Sequence, residues 1–145
     1  MSEILIRPLE AEDRPEWDRL WQAYLAFYEQ ELAPEVTATL FQRLLGEGRH
    51  FGLVAEQGGR LVGLVHALPH DSTWAVEPTC YLEDLFVDSA CRGSGVGRKL
   101  IEAVYAEADR LGCSKVFWHT HDDNARARQL YDRIGHLTPF VKYVR

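Results

Sequence analysis

The sequence predicts an α/β fold of the α+β kind: a mixed, mostly antiparallel twisted sheet flanked by helices, in one domain over residues 1–145. Three observations predict it. The elements run β-α-α-β-β-β-α-β-α-β by their apolar periodicity. Gly58-Gly59 joins two strands with hairpin chemistry. Only one strand pair, from Tyr81 to Thr120, is linked through a helix and so is expected to be parallel.

Ile4 to Ile6 form the first strand, closed by Pro8. A helix follows, with Asp13 as its cap, Pro15 in its first turn, and Trp17, Leu20, Trp21, Tyr24, Leu25 and Tyr28 on one apolar face. A second helix runs from Pro34 to Leu45 with Val36, Leu40, Phe41 and Leu44 inward, and Gly46 and Gly48 end it. Phe51–Ala55 and Arg60–Leu68 are the hairpin strands, and Pro69 to Pro78 is a loop. Tyr81–Val87 is the next strand. Gly97–Leu111 is an amphipathic helix with Leu100, Ile101, Val104, Ala108 and Leu111 inward, and Gly112 stops it. Lys115–Thr120 is a strand, Asn124 caps a helix ending at Ile134-Gly135, and Phe140–Val144 is a closing strand.

The formal charge of −6 weighs against broad binding to a phosphate backbone and suits cationic partners, so no nucleic-acid role is expected. No run approaches the roughly 18 apolar residues of a membrane span, so no membrane role is expected either. Met1 to Arg7 lacks the apolar stretch of a signal peptide. Cys80, Cys91 and Cys113 form no CxxC pair, and an odd number of thiols suits the reducing cytoplasm.

The chemistry concentrates at Arg92-Gly93-Ser94-Gly95-Val96-Gly97-Arg98, between a strand and a helix. Glycines there let main chain approach a ligand and gather N–H groups in one concavity, and the free helix start adds positive potential. A pyrophosphate is the natural guest. The nucleotide-triphosphatase loop needs GxxxxGK followed by Ser or Thr, but Leu100 follows Lys99. The dinucleotide fingerprint needs GxGxxG early in a βαβ unit, whereas the spacing here is GxGxG and the turn comes late in the chain.

RxxGxG after a strand and before an amphipathic helix resembles the coenzyme A loop of the GNAT superfamily of N-acetyltransferases. Asn124-Ala125-Arg126-Ala127-Arg128-Gln129-Leu130-Tyr131, followed by Gly135, resembles that family's second motif. The strand Leu82-Glu83-Asp84-Leu85-Phe86-Val87 is similar to that of the diamine (spermidine/spermine) N-acetyltransferases. Together with Ser72-Thr73-Trp74, Trp118-His119-Thr120-His121 and Asn124, it is similar also to the yeast histone and D-amino-acid N-acetyltransferase group.

The resemblance implies the GNAT acyl-CoA N-acyltransferase fold, with a central parallel strand pair that splays at the cofactor site. The cofactor it implies is acetyl-CoA, with coenzyme A as product. The pantetheine arm would lie along Leu85, Phe86 and Val87, and a main-chain N–H around Phe86 or Val87 would meet the oxyanion. Arg92, Gly93, Ser94, Gly95, Val96, Gly97 and Arg98 would hold the pyrophosphate, with Asn124, Ala127 and Tyr131 on the second motif. By the same resemblance Tyr131 stabilises the leaving thiolate. Its hydroxyl is a weaker acid than a thiol at the usual values of about 10 and about 8.5, which favours hydrogen bonding over full proton transfer.

An acceptor ammonium must lose a proton before it attacks. Glu83 is the candidate base through water; binding the cation directly and a structural role are the alternatives. By alternation it shares a face with Tyr81, Leu85 and Val87, while Asp84 points away. His119 and Trp118 are expected at the acceptor pocket. Tyr28-Glu29 matches a pair that contacts the amine in diamine acetyltransferases. His119 and His121 form an HxH pair without a third ligand, so no metal is expected. The expected activity is acetyl transfer to a primary amine of a small molecule, such as a polyamine or amino acid, by direct attack in a ternary complex. Transfer to a histone or other protein lysine is the alternative, and a non-catalytic acetyl-CoA sensor is a third. A homodimer is expected.

Overall fold

A computed structural model describes residues 3–145. Strands β1 (Leu5–Pro8), β2 (Phe51–Gln57), β3 (Arg60–His70), β4 (Thr79–Val87) and β5 (Val116–Phe117) form one sheet in chain order. The first three pairings are antiparallel and β4–β5 is parallel. The β2–β3 turn uses Gly58 and Gly59 at φ 60° and 80°, which matches the twist of a tight hairpin.

Helix α1 (Arg14–Phe27) and α2 (Pro34–Gln42) close one apolar cluster, in which Trp17, Leu20 and Phe41 meet Val54, Leu64 and Phe86. Helix α3 (Val96–Arg110) closes the other, where Leu100, Ile101 and Val104 meet Val62, Val65 and Leu82. Helix α4 (Ala125–Ile134) packs at the rim of this second cluster through Leu130, Tyr131 and Ile134. Gly135 follows it at a close approach, since a Cβ there would meet the Trp118 ring at 3.0 Å.

Several expectations are corrected. Asp13 stands at the start of α1 but does not cap it, because Arg7 Nη1 and Nη2 and the Glu10 N–H occupy its carboxylate at 2.8–2.9 Å. Val36 is 45% exposed, and Thr37 takes the inward position. The buried Trp21 indole donates to Thr37 Oγ1 at 3.1 Å, an acceptor that valine lacks. Pro69 and His70 belong to β3 rather than to the loop. Leu111 is 39% exposed, because the helix has already ended at Arg110. β5 is two residues rather than Lys115–Thr120. Phe140–Val144 forms no strand; Phe140 and Tyr143 stand 75% and 92% exposed. A β-rich pattern makes a strand only where a sheet edge receives it.

Candidate active site

β4 and β5 pair only at Cys80↔Val116 and Tyr81↔Phe117. Beyond Tyr81, β4 keeps β3 on one edge and has no strand on the other among the described residues. The last shared position is fixed by aromatic stacking, with the Tyr81 and Phe117 rings 4.9 Å apart and nearly parallel.

A bulge begins where the pairing ends. Leu82 faces Ala67 and Asp84 faces His66, leaving Glu83 unmatched. One extra residue reverses the alternation, so Leu82, Leu85 and Val87 all pack in the α3 cluster. The expected common face of Tyr81, Glu83, Leu85 and Val87 is therefore broken. Asp84 does point away from the α3 cluster, toward α1, as expected.

The gap between the strands opens a cleft reached from both faces of the sheet. Leu82, Glu83 and Leu85 line it from β4, Tyr24 and Tyr28 from α1, Ile101 from α3, Trp118, His119 and Thr120 from the segment after β5, and Tyr131 from α4. Six sequence-expected site residues thus meet: Tyr28, Glu83, Leu85, Trp118, His119 and Tyr131. Glu29 does not join them; it is exposed at the end of α1 with φ 55°. Phe86 is buried against Tyr24 and its main chain turns to β3, with its carbonyl close to Gly63, so the main chain of Leu85 and Val87 forms the free edge toward the gap.

The Tyr131 ring meets Trp118 edge-on at 5.5 Å. Burial, then the neighbouring Tyr28, raises the Tyr131 pKa above the ordinary phenol value, so its hydroxyl holds its proton. Burial raises Glu83 above the usual carboxylate range, Asp84 adds to this, and Lys142 pulls the other way. Its carboxylate is open to solvent at the mouth, which moderates the shift. The two histidines of the HxH pair diverge. His119 Nδ1 lies 3.3 Å from the Tyr81 hydroxyl, and the His121 ring meets Tyr28 at 5.6 Å.

The glycine turn lies at the far end of β4. Arg92 Nε donates to the Val87 carbonyl at 3.2 Å, and its guanidinium lies over Phe86 and Phe27 at 5.5 and 5.8 Å. Gly93 and Gly95 both have φ 86°, where a side chain is strained. A Cβ on Gly95 would meet no protein atom within 4 Å, so the turn faces open space. Ser94 Oγ donates to the Cys91 carbonyl. The first helical bond runs from the Lys99 N–H to the Gly95 carbonyl at 3.1 Å, which leaves the N–H groups of Val96, Gly97 and Arg98 directed out of the helix start. This is the kind of concavity that receives an anion.

Arg98 pairs with Glu102 at 3.5 Å, and Arg126 of α4 reaches to 3.7 Å of where a Gly93 Cβ would lie. Asn124 caps α4 as the sequence expects: its Oδ1 accepts the Ala127 N–H at 3.4 Å, and its Nδ2 donates to Thr120 Oγ1 at 3.2 Å. That brings the α4 start toward both the turn and the cleft.

Behind the cleft lies a row of polar groups that sequence reasoning missed. The Trp17 indole N–H donates to His66 Nε2 at 3.1 Å, His66 Nδ1 lies 3.0 Å from Asp84 Oδ2, and the Tyr24 hydroxyl donates to Asp84 Oδ1 at 2.8 Å. His66 is 2% exposed. The available signal was a histidine inside the otherwise apolar run Leu61–Leu68, and the adjacent acids Glu83 and Asp84.

Residues 15–136 match the model of the acetyltransferase (GNAT) family. The chain is 38% identical to the D-amino-acid N-acetyltransferase of Saccharomyces cerevisiae, over 98% of this chain and 90% of that protein. It is 41% identical to the thialysine N-epsilon-acetyltransferase of Bos taurus over 44% of this chain and 37% of that one. In fold it is similar to aminoglycoside N-acetyltransferase AAC(6')-Iy in complex with CoA, with a TM-score of 0.88 at 21% identity, covering 100% of this chain and 95% of that one.

Proposed function

The chain belongs to the GNAT family of acetyltransferases, and from that premise we propose that it transfers acetyl from acetyl-CoA to the primary amine of a small molecule, with both bound at once where β4 parts from β5. The observation that carries this is one strand with two features. β4 loses its parallel partner after Tyr81, and the same strand leads into a turn of outward N–H groups. The whole sequence, residues 1–145, is read as one catalytic domain, of which the family model spans 15–136.

In this reading the residues fit acetyl-CoA, whose thioester supplies the activated acetyl group. Gly93, Ser94, Gly95, Val96 and Gly97 cradle the pyrophosphate with main-chain N–H groups, and Arg92 and Arg98 add charge. Asn124 and Ala127 border the arm from α4. The free edge of β4 at Leu85 and Val87 receives the arm as a strand would, and a main-chain N–H of that edge faces the thioester carbonyl. Tyr131 steadies the departing thiolate by donating a hydrogen bond; its raised pKa makes it a donor rather than a proton source. Glu83 draws the acceptor ammonium and takes its proton through water, a task that its raised pKa suits. Tyr28, Trp118 and His119 wall the acceptor, and Glu29 stands outside, within the path of a long polycation.

What supports small amines is the relatives' own chemistry, named for D-amino acids and for thialysine. What supports the cytoplasm is three free thiols, which suit a reducing compartment, and no described helix is long and apolar enough to cross a membrane. What supports a homodimer is the exposed apolar tail with Leu137, Phe140, Val141 and Val144, and light scattering tests it.

The test of function is thiol release from acetyl-CoA with D- and L-amino acids, thialysine, a diamine and a lysine peptide. A small amine is expected to lead the peptide at least tenfold in kcat/KM, about 1.4 kcal/mol. A peptide preferred by that factor, or no thiol release at all, overturns the reading.

A further inference from the structure

The row behind the cleft has a direction. An indole N–H can only donate, so His66 Nε2 must accept it and the imidazole proton sits on Nδ1, facing Asp84. The Tyr24 hydroxyl faces the other carboxylate oxygen and also donates. Both oxygens of Asp84 are therefore met by neutral donors. No lysine or arginine forms an ion pair with Asp84 or Glu83 among the described residues. Asp84 is thus a carboxylate with one neutral donor on each oxygen and no lysine or arginine paired with it, placed just behind the wall of a cleft. A half-buried charge in that condition favours a cation close by.

Tyr24 is the link between that charge and the cleft, because it lines the cleft and Asp84 does not. Its one proton is committed to Asp84, so only oxygen lone pairs remain for a ligand. Burial, then the charge of Asp84, raises the Tyr24 pKa, so the hydroxyl keeps that proton. Trp21 and Tyr28, stacked on or edged against its ring at 5.3 and 5.0 Å, fix where the oxygen points.

We propose that Tyr24 is the specificity-determining group for the acceptor: its oxygen, oriented by Asp84 and His66, receives an N–H of an alkylammonium whose positive charge answers Asp84. This rests on the acetyl-transfer reading and narrows its substrate class to amines that arrive as cations. Arylamines, neutral at neutral pH, lack the charge that the site is built to meet. Tyr24 docks the ammonium and takes no proton from it; that proton leaves toward Glu83 and water. His66 and Trp17 act through Asp84 and are positioning residues.

The experiment compares wild type with Tyr24→Phe on the best alkylamine of the panel above, with coenzyme A affinity measured by titration calorimetry. The expected result is a KM raised tenfold or more, a kcat within about threefold, and an unchanged coenzyme affinity. Unchanged KM overturns the inference, and so does a parallel loss of coenzyme affinity, which would mark Tyr24 as packing only. If Tyr24→Phe does not fold, the wild type decides: its KM for the alkylamine should lie at least tenfold below that for an arylamine of like size, and parity overturns the inference. Turnover of amines without these effects defeats the inference alone. Absence of turnover on every amine defeats the acetyl-transfer reading and this inference with it.

Discussion

α1 and α4 face the same cleft, and each presents tyrosine to it, yet they are held differently. α1 buries Trp17, Leu20, Trp21 and Leu25, and its Tyr24 is tied to Asp84 at 2.8 Å. α4 buries no residue completely, and its Tyr131 rests edge-on against Trp118. The difference teaches that the α1 side of the cleft is fixed by the core, whereas the α4 side is held by fewer buried side chains. Under the proposed function, rigid support would fall on the acceptor side and the looser element on the coenzyme side.

The comparison is sharpened most by Tyr131→Phe. The fold should survive, coenzyme A should still bind, and kcat should fall by roughly 10²–10³, the range for removing one hydrogen-bond donor to developing negative charge. Wild-type turnover in that variant would reduce Tyr131 to a packing residue. Next in size is a pair of truncations read by urea unfolding. Trp17→Ala, in the α1 core, should cost about 3–5 kcal/mol. Leu130→Ala, on half-buried α4, should cost about 1 kcal/mol by the area it covers. Equal losses would mean that the two helices are anchored alike.

Which features were legible follows from how local their causes are. The glycine turn, the Gly58-Gly59 hairpin and the Asn124 cap are written in adjacent residues, and all stand where expected. The bulge at Glu83 is not, because it is fixed by pairing with β3, about 17 residues away in sequence. That one shift parts Tyr81 from Leu85. The tie between Tyr24 and Asp84 spans 60 positions, and that between Trp17 and His66 spans 49, so no window of the sequence contains either. Phe140–Val144 carries strand composition but meets no edge in this chain. Six of the expected residues nonetheless line one cleft.

The glycine turn offers a smaller test. Gly95 lies at φ 86° with open space before it, so Gly95→Glu should lower coenzyme A affinity at least tenfold while moving Tm little beside Trp17→Ala. Unchanged affinity by calorimetry would place the pyrophosphate elsewhere.

The smallest effect expected is a pH effect at Glu83. Burial disfavours its carboxylate, so its folded pKa is raised above its unfolded value. The neutral form is favoured in the fold, and the stability this gives is present below the ordinary glutamate range and fades as pH rises through the raised value. Near neutral pH, Glu83→Gln should therefore be as stable as wild type or slightly more so. Its acid limb in kcat/KM should vanish if Glu83 is the base, whereas a rise in KM with the limb intact would make it a binder.

The placement of the coenzyme is tested most directly by amide hydrogen exchange with and without saturating coenzyme A. The account predicts new protection at residues 83–87 on the free edge of β4, at 93–98 in the glycine turn and at 125–128 where α4 begins, with α1 unchanged. Protection confined to other elements, or none at saturation, would contradict it.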